Sequence, residues 1–457
     1  MQNYKKGLVW IRRDYRLIDN KAIISAAKKC KEIWICFIFD KNILDKLEPD
    51  DQRIDFIMQS IRELDSDLQK HNSAIIVRYG TPQEKIPEII NTYNIDALFY
   101  NRDYEPYAVM RDQNIKDSLS IPIHTYKDSV IFEKDEVLTK SNTYFKVFTP
   151  YKNEWIKQMN NQEFQIKSEI NFNFGQVVED ANIHQDRWFK LMGFNKMSSF
   201  LKGGRSNALK RLNSFKSEIY DYHQARDFPG LKKTSNLSPY LRFGCISIRE
   251  LVNFSLNFKG EGAQIWLSEL IWRDFYQMIV ATHPDCDKVS IKPIYDEIEW
   301  HGKREWFDAW CLGQTGFPIV DAAMRELNTT GLMHNRCRMI VASFLCKTLL
   351  LNWRLGEAYF AKKLLDFDFA SNNGGWGWAS SSGCDAQPYF RIFNPYSQSE
   401  KFDPKGDYIR TYCPELRHLS NKEIHNPAIL PDYPRPIVDY KIMRQHALDM
   451  YAIVKNK

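Results

Sequence analysis

The sequence predicts two domains of different class, an α/β domain with a Rossmann-like parallel sheet of five strands and, after it, an all-α domain. Short β-branched and aromatic runs alternate with helical patterns up to about residue 126, whereas long helical patterns dominate after Gly203-Gly204. The chain has 457 residues, of which 44% are hydrophobic, so both domains can bury a core. We therefore predict an α/β domain over residues 1–130, a linker over residues 131–200 and a helical domain over residues 201–457.

Five strands and at least two helices are predicted in the first domain. The strands are residues 8–11, 33–39, 74–79, 97–100 and 121–126. Apolar residues at three- and four-residue spacing predict a helix over residues 56–68. Another helix is predicted to begin at Thr81-Pro82-Gln83-Glu84, which supplies a capping residue, a proline at the first helical position and a glutamate three residues after the cap. Strands and helices that alternate in this way are typical of a parallel sheet with helices on both faces.

The second domain is predicted from helix patterns over residues 263–281, 318–327 and 336–353. The last pattern is apolar nearly all round its middle, which is typical of a helix buried in a bundle. Residues 131–200 show no clear periodicity, so we expect an irregular linker that wraps one domain while it joins the next.

Composition and charge narrow the class of protein. Nine cysteines form no CxxC pair and several lie in apolar runs, so we expect buried free thiols in a reducing compartment. The N-terminus lacks the apolar segment of a signal peptide and no apolar run reaches the length of a membrane span, so we expect a cytoplasmic protein. A net charge of +6 is weak evidence for a nucleic-acid partner.

Polar side chains follow the first predicted strand, at the edge of the sheet where ligands bind in open α/β sheets. They are Arg12, Arg13, Asp14, Arg16, Asp19 and Asn20. These residues either line a ligand site or form salt bridges that tie the strand to its neighbours, and the sequence leaves both open. No GxGxxG follows the strand, which argues against a nicotinamide-binding domain.

Three hydroxyl groups lie close together in Thr234-Ser235-Asn236-Leu237-Ser238, just before a helical pattern. Hydroxyls and free backbone N–H groups at a helix start suit a phosphate, whereas simple capping explains only one hydroxyl. The cluster therefore favours a phosphate site.

Arg336 and Arg338 lie at the mouth of the predicted apolar helix, and Asp366 and Asp368 are their obvious acidic partners. Both arginines could form purely structural pairs, but we favour an Arg338–Asp366 pair beside a cofactor. The neighbouring His334 alone indicates no more than a core histidine.

Glu269 lies one helical turn from Trp266, Trp272 and Arg273 on an otherwise apolar face. A carboxylate in that position is costly unless it has a chemical task or a paired cation. The sequence leaves open a catalytic role and an internal Glu269–Arg273 pair.

Two tryptophans, Trp376 and Trp378, stand among glycines in Gly374-Gly375-Trp376-Gly377-Trp378. Residues two apart point in nearly opposite directions on a helix or a strand, so one indole can face a cofactor and the other a ligand. The glycines let the backbone approach something flat or bulky, a property that two tryptophans filling a core would not require.

Together these motifs resemble the photolyase/cryptochrome family and are most similar to the class I photolyases that repair cyclobutane pyrimidine dimers. The resemblance covers nearly the whole chain and is carried by residues 8–20, 234–238, 266–276, 313–322, 334–339, 372–380 and 388–395. It implies an α/β antenna domain, a helical domain that holds FAD, and light-driven electron transfer from reduced FAD to a dimer flipped out of DNA. It also implies ultraviolet-damaged DNA as the partner of a monomeric lyase that needs no metal.

The resemblance assigns roles residue by residue. It places Glu269, Asn372 and Met339 in the catalytic centre, with Asn372 beside flavin N5 and Glu269 protonated against the carbonyls of the dimer. It identifies Trp300, Trp353 and Trp376 as an electron-transfer chain. The residues implied to bind FAD are Tyr222, Thr234, Ser235, Asn236, Leu237, Ser238, Trp266, Arg273, Asn335, Arg338, Asp366, Phe367, Asp368 and Asn372. The residues implied to bind DNA or the dimer are Arg226, Glu269, Trp272, Asn335, Arg336, Met339 and Trp378.

A second, antenna chromophore is implied as well. Residues 101–108 are more similar to deazaflavin-binding members than to folate-binding ones, because Ala108 stands where folate binders carry a glutamate. We therefore favour an 8-hydroxy-deazaflavin over methenyltetrahydrofolate, with an empty or flavin-filled pocket as the alternative.

The main alternative function is that of a cryptochrome-like blue-light photoreceptor without repair activity. Such a receptor is free to lose the set Glu269, Trp272, Asn335, Met339 and Trp378, which this chain retains. Repair of six-four photoproducts is less favoured, because those enzymes carry paired histidines where this chain has His334-Asn335.

Overall fold

The computed structural model of the protein describes residues 3–160, 172–177, 183–386 and 388–455. Its N-terminal part is a sheet of five strands in the order β3-β2-β1-β4-β5, and every neighbouring pair is parallel. The strands are β1 (Tyr4–Ile11), β2 (Cys30–Asp40), β3 (Ile75–Gly80), β4 (Ala97–Asn101) and β5 (Ile123–Tyr126). The predicted Rossmann-like class is confirmed.

Helices cover both faces of this sheet, which is why its central strands are apolar on both sides. Leu8 of β1, for example, is fully buried beside Trp34 of β2 and Leu98 of β4. The helices of this part are α1 (Lys21–Lys29), α2 (Lys41–Leu44), α3 (Gln52–Gln69), α4 (Pro82–Tyr93) and α5 (Pro106–Ser118). Pro82 begins α4 as predicted, although the Thr81 side chain makes no capping hydrogen bond.

The prediction of an irregular linker over residues 131–200 is wrong in part. The segment contains α6 (Phe148–Met159) and α7 (Arg187–Met192), while its residues 161–171 and 178–182 lie outside the described part of the chain. In α6 the buried residues are Phe148, Tyr151, Trp155 and Met159, a three- and four-residue spacing that polar neighbours mask in the sequence. The domain boundaries at residues 130 and 200 stay a proposal.

The C-terminal part is helical, and the structure describes thirteen α-helices there. They are α8 (Arg205–Phe215), α9 (Tyr222–Ala225), α10 (Ser238–Arg242), α11 (Ile248–Leu256), α12 (Glu261–Thr282), α13 (Arg304–Leu312), α14 (Pro318–Thr330), α15 (Asn335–Lys347), α16 (Trp353–Lys363), α17 (Phe369–Ser380), α18 (Pro395–Phe402), α19 (Asp407–Tyr412) and α20 (Tyr440–Lys455). The helices predicted over residues 263–281 and 318–327 correspond to α12 and α14.

The helix predicted over residues 336–353 is two helices in the structure. The first, α15, ends at Lys347, Leu350 adopts a left-handed φ of 52°, and α16 begins at Trp353. Asn352 caps α16 by accepting a hydrogen bond from the backbone N–H of Arg354 at 3.0 Å. Because the turn itself is buried and leucine-rich, hydropathy does not distinguish it from a continuing helix.

The polar residues after β1 form salt bridges, as one of the two interpretations predicts. Arg13 contacts Asp103 at 3.1 Å and Glu105 at 2.8 Å within the α/β domain, and it contacts Asp368 of the helical part at 2.5 Å. Arg249 of α11 reaches back to Asp19 at 2.7 Å. The Arg13–Asp368 and Asp19–Arg249 pairs thus join the two parts of the chain.

All nine cysteines are free and buried, as predicted. In the part of the chain that the structure describes, no helix is both long and apolar enough to cross a membrane.

Candidate functional site

A cavity with a volume of about 500 Å³ lies in the helical domain. Its walls come from α9, α12, α15 and α17 and from the segment before α10. Thirteen residues predicted to bind a cofactor line it: Tyr222, Thr234, Ser235, Asn236, Leu237, Ser238, Trp266, Arg273, Asn335, Arg338, Asp366, Asp368 and Asn372. Phe367 does not line it, because its side chain packs against the apolar core and its backbone carbonyl accepts a hydrogen bond from Arg242.

One wall of this first cavity carries the predicted hydroxyl cluster. Thr234, Ser235 and Ser238 all line it, and Thr234 Oγ1 donates to Asn236 Oδ1 at 3.3 Å. Asn236 has a left-handed φ of 49°, which turns the chain sharply just before α10. This wall therefore offers several small hydroxyl groups to a polar ligand.

Another wall carries charged groups. The predicted pair is present: Arg338 Nη2 lies 2.9 Å from Asp366 Oδ2. Asp368 pairs with Arg13 and caps α17 by accepting from the backbone N–H of Ser371 at 3.0 Å. Burial alone would raise the pKa of Asp368, but the charges of Arg13 and Arg273 outweigh burial and lower it. Asp368 is thus an anion beside the cavity.

Asn372 is held with its amide in one orientation. Its Nδ2 donates to the backbone carbonyl of Glu357 in α16 at 3.0 Å, and Asn372 is only 8% exposed. Next to it, Asn373 Nδ2 donates to the Glu357 carboxylate at 2.8 Å. Since the amide nitrogen of Asn372 is engaged with the protein, its oxygen is the atom left for a ligand.

A second cavity of about 360 Å³ adjoins the first. Six of the predicted DNA or dimer residues line it: Arg226, Glu269, Trp272, Asn335, Met339 and Trp378. The two cavities share a wall made of Glu269, Arg273, Asn335, Arg338, Ser371 and Asn372. A ligand in one cavity would therefore lie against a ligand in the other.

Arg336 is the predicted DNA residue that lies outside both cavities. Its guanidinium pairs with Asp227 at 2.9 Å and lies 4.1 Å from the centre of the Phe402 ring. The side chain is thus turned away from the wall that Asn335 and Arg338 form.

Glu269 has a paired cation, but the cation is Arg226 and not Arg273. Arg226 Nη1 lies 2.5 Å from Glu269 Oε1, whereas Arg273 donates to the backbone carbonyl of Ser129. The predicted Glu269–Arg273 alternative is therefore wrong, because Arg273 is drawn to the segment that follows the sheet. Burial raises the pKa of Glu269, and the charge of Arg226 offsets this only in part.

Trp272 stacks on the ring of Phe148, a contact that the sequence does not predict. Phe148, the first residue of α6, stacks on Trp272 with ring centroids 3.6 Å apart and an angle of 7° between the planes. Phe148 does not line the second cavity, so it supports Trp272 from behind. No sequence pattern could find this pair, because its members lie 124 positions apart and outside any shared motif.

The tryptophans of α17 both line the second cavity, so the structure does not divide them between a cofactor and a ligand. Trp376 is only 2% exposed and packs against Phe360 at 5.1 Å and Trp310 at 6.1 Å. Of the other predicted electron carriers, Trp353 is buried in the same core and Trp300 is half-buried.

His334 has a structural role at the start of α15. Its Nδ1 accepts a hydrogen bond from the backbone N–H of Arg336 at 3.1 Å, which caps the helix. Burial lowers the pKa of His334 to about 4, and the charges of Arg336 and Arg338 add to this while Asp227 opposes it. His334 is therefore neutral near pH 7, in agreement with the interpretation as a core histidine.

Comparisons with known proteins identify relatives along almost all of the chain. Residues 7–168 match the family described as DNA photolyase, and residues 266–453 match the FAD binding domain of DNA photolyase. A Vibrio cholerae protein named deoxyribodipyrimidine photo-lyase is 39% identical over 98% of this chain and 99% of its own length.

Two solved structures are similar as well. An archaeal photolyase from Sulfolobus tokodaii, described with two FAD molecules, has a TM-score of 0.86 and 32% identity over 98% of this chain and all of its own. A cryptochrome from Synechocystis sp. has a TM-score of 0.85 and 28% identity, with 98% of this chain and all of its own covered.

Proposed function

This chain belongs to the DNA photolyase family, and from that premise we propose that it is a deoxyribodipyrimidine photo-lyase of class I, which splits cyclobutane pyrimidine dimers in ultraviolet-damaged DNA. The observation that carries the proposal is the wall shared by the two cavities. It would hold a light-absorbing cofactor and a pyrimidine dimer side by side, which a receptor without a substrate would not need. Bound in its reduced form, FAD would supply an electron to the dimer on absorbing light and regain it after ring opening.

The first cavity suits FAD in size and in chemistry. Its volume of about 500 Å³ lies within the range of ligand sites in proteins. The hydroxyls of Thr234, Ser235 and Ser238 would hold the pyrophosphate, while Arg338 and Asp368 offer charges of both signs to the polar edge of a flavin. Asn372 would direct its amide oxygen at the cofactor, since its nitrogen is held by the Glu357 carbonyl.

The second cavity suits a flipped pair of bases. Trp272 and Trp378 would offer stacking surfaces, each worth about 1–3 kcal/mol by analogy with base–aromatic contacts. That energy offsets the few kcal/mol needed to extrude a nucleotide from the duplex. A dimer is easier to extrude than undamaged bases, because its bases already form poor base pairs.

Glu269 is the group in this cavity that would present a protonated carboxyl group to the substrate. Its pKa is raised by burial, and displacement of Arg226 by bound DNA would remove the charge that opposes this rise. A protonated Glu269 would donate a hydrogen bond to a carbonyl of the dimer. Glu269→Gln, which keeps a donor, should then repair better than Glu269→Ala. An infrared difference spectrum that shows an ionised Glu269 throughout repair would contradict this role.

A direct assay tests the function. Chemically reduced protein with bound FAD is incubated with ultraviolet-irradiated oligothymidine under blue light, and the recovery of thymine absorbance is followed. Recovery in light but not in the dark supports the proposal. No recovery in light, with reduced flavin demonstrably bound, contradicts it and favours a photoreceptor. A parallel substrate that carries only six-four photoproducts should not recover, because this chain has Asn335 where paired histidines would be needed.

A second chromophore of the 8-hydroxy-deazaflavin type belongs to the same proposal. Its support is Ala108, which is 4% exposed and gives a folate no carboxylate to bind. The Sulfolobus tokodaii photolyase is described with two FAD molecules, so a flavin is the competing antenna. Reconstitution with each of the three chromophores, followed by energy transfer to FAD, distinguishes them. Tight binding of methenyltetrahydrofolate alone would contradict the deazaflavin proposal.

A further inference from the structure

The three glycines of the tryptophan-rich stretch of α17 differ in their surroundings. A Cβ atom on Gly374 would come within 2.1 Å of Tyr276 Cδ1, and one on Gly377 would come within 3.1 Å of Gly383 Cα. A Cβ atom on Gly375 would have no atom within 4 Å apart from its chain neighbours and the backbone of its own helix. Close packing therefore explains two of these glycines and leaves Gly375 unexplained.

Backbone conformation does not explain Gly375 either. It lies inside the regular helix and has no positive φ. Gly193 and Gly260 also have open space around them, but their φ angles of 81° and 110° favour glycine. Among the glycines that the structure describes, Gly375 is the one that combines open space at the Cβ position with no positive φ. Because glycine destabilises a helix interior relative to alanine, a reason outside the folding of the chain is needed.

The position of Gly375 indicates that reason. Gly375 lines the second cavity and does not line the first. Ser371, Asn372 and Trp378 lie three or four positions away on the same helix face, and they also line the second cavity. A side chain at position 375 would therefore project into the space between the shared wall and Trp378.

We propose that Gly375 is a specificity-determining contact for the dimer, because the absence of a side chain lets one of its two fused bases lie against the backbone of α17. This inference rests on the proposed function and deepens it by assigning the contact to the substrate and not to FAD. A single extra methyl group in a fitted pocket forces either the ligand or the helix to shift. Glycine at position 375 thus makes the helix less stable but leaves room for a ligand two bases wide.

The test compares Gly375→Ala with wild type and with Gly374→Ala. Four quantities are measured: the Tm of the protein with FAD bound, the FAD content, the Kd for an oligonucleotide with one thymine dimer, and the Kd for the undamaged oligonucleotide. For Gly375→Ala we expect a Tm higher by about 1–3 °C. We expect unchanged FAD content, unchanged affinity for undamaged DNA, and an affinity for dimer DNA lower by roughly tenfold. Gly374→Ala should lower the Tm, because Tyr276 has to move.

Each other result overturns the inference. A Gly375→Ala protein that binds and repairs dimer DNA like wild type shows that no base lies against this backbone. A loss of FAD content would assign the contact to the cofactor, and a lower Tm would show that Gly375 has a packing role after all. Wild-type protein that neither binds nor repairs dimers would instead contradict the proposed function itself, so the two failures are distinguishable.

Discussion

At the scale of single residues, Asn372 shows how a side chain acquires a direction. The amide group has a donor end and an acceptor end of almost equal size, so packing alone does not choose between its two orientations. The Glu357 carbonyl can only accept, and it therefore fixes the nitrogen of Asn372 on its side. The resemblance identified the asparagine, but the backbone carbonyl that orients it lies on α16 and is invisible in the sequence of side chains.

Trp376 and Trp378 should separate electron supply from repair. The resemblance assigns Trp376 to the electron-transfer chain, and its ring packs against Phe360 and Trp310, so we expect Trp376→Phe to stop the photoreduction of oxidised flavin. Chemically reduced Trp376→Phe protein should still repair dimers, measured by recovery of thymine absorbance. Trp378→Phe is the matched control and should weaken dimer binding while photoreduction continues. If chemically reduced Trp376→Phe protein loses repair, the roles of the two indoles are assigned the wrong way round.

At the scale of elements, His334, which caps α15, should make the free energy of unfolding depend on pH. The pKa of His334 is about 4 in the folded chain against an ordinary value of 6.5, mainly because of burial. The unfolded chain therefore takes up a proton as pH falls below 6.5, while the folded chain does so only near pH 4. Neutral His334 therefore contributes its full share to the free energy of unfolding above pH 6.5. This contribution is lost as the pH falls toward 4, and the loss is about 3 kcal/mol at most.

Denaturant unfolding of wild type and His334→Asn at several pH values measures this loss. Asparagine is a good N-cap without a titrating group, so it keeps the helix start and removes the proton site. We expect the difference in unfolding free energy between the two proteins to change between pH 6.5 and pH 4 and to stay constant above pH 7. A difference that does not vary with pH would show that His334 is solvated in the folded protein.

Phe148, the first residue of α6, should affect substrate binding although it does not line the second cavity. Phe148→Leu removes the stacked ring under Trp272 and leaves the indole freer to move. We expect dimer binding to weaken by about 0.5–1.5 kcal/mol, the usual value of an aromatic pair beyond its buried area. The measurement is the Kd for dimer DNA, with FAD content as the control for correct folding. Phe148→Tyr keeps the ring and should bind like wild type, whereas equal losses in both variants would rule out stacking as the cause.

Elements were predictable from the sequence where local signals agree. The five strands of the sheet and the start of α4 at Pro82 follow from periodicity and capping chemistry. The break at Leu350 and helix α6 were missed for opposite reasons. Around Leu350 a buried turn has the same composition as a buried helix, and in α6 the apolar residues are diluted by lysines, asparagine and glutamate. In both cases tertiary packing, and not local preference, determines the structure.

At the scale of the whole molecule, the two parts of the chain meet at an ion cluster around Arg13. The side chain of Arg13 is only 15% exposed and contacts three carboxylates, those of Asp103, Glu105 and Asp368. Through Asp368 the cluster reaches the N-cap of α17, the helix that carries Asn372 and Gly375. The sheet thus supports the helical domain directly at the shared wall of the two cavities.

Arg13→Met should therefore destabilise the protein strongly. The substitution removes the cation that all three carboxylates share, although Glu105 keeps Arg242 at 3.2 Å. Breaking one side of a buried pair typically costs about 3–5 kcal/mol. The measurement is urea denaturation followed by circular dichroism. Lys70→Met is the control, because Lys70 and Asp67 form an exposed pair that water screens, so its loss should leave the stability nearly unchanged. Equal effects of the two substitutions would show that water reaches the Arg13 cluster.

The two cavities have six lining residues in common, and this restricts how the enzyme can be altered. Six residues, Glu269, Arg273, Asn335, Arg338, Ser371 and Asn372, present one surface to each compartment. A replacement among these six, chosen to admit a different lesion to the second cavity, would also change the first cavity, where we propose that the flavin binds. Redesign of substrate range therefore has to begin at positions that line one cavity only. Gly375 and Met339 are two such positions, because they line the second cavity and not the first.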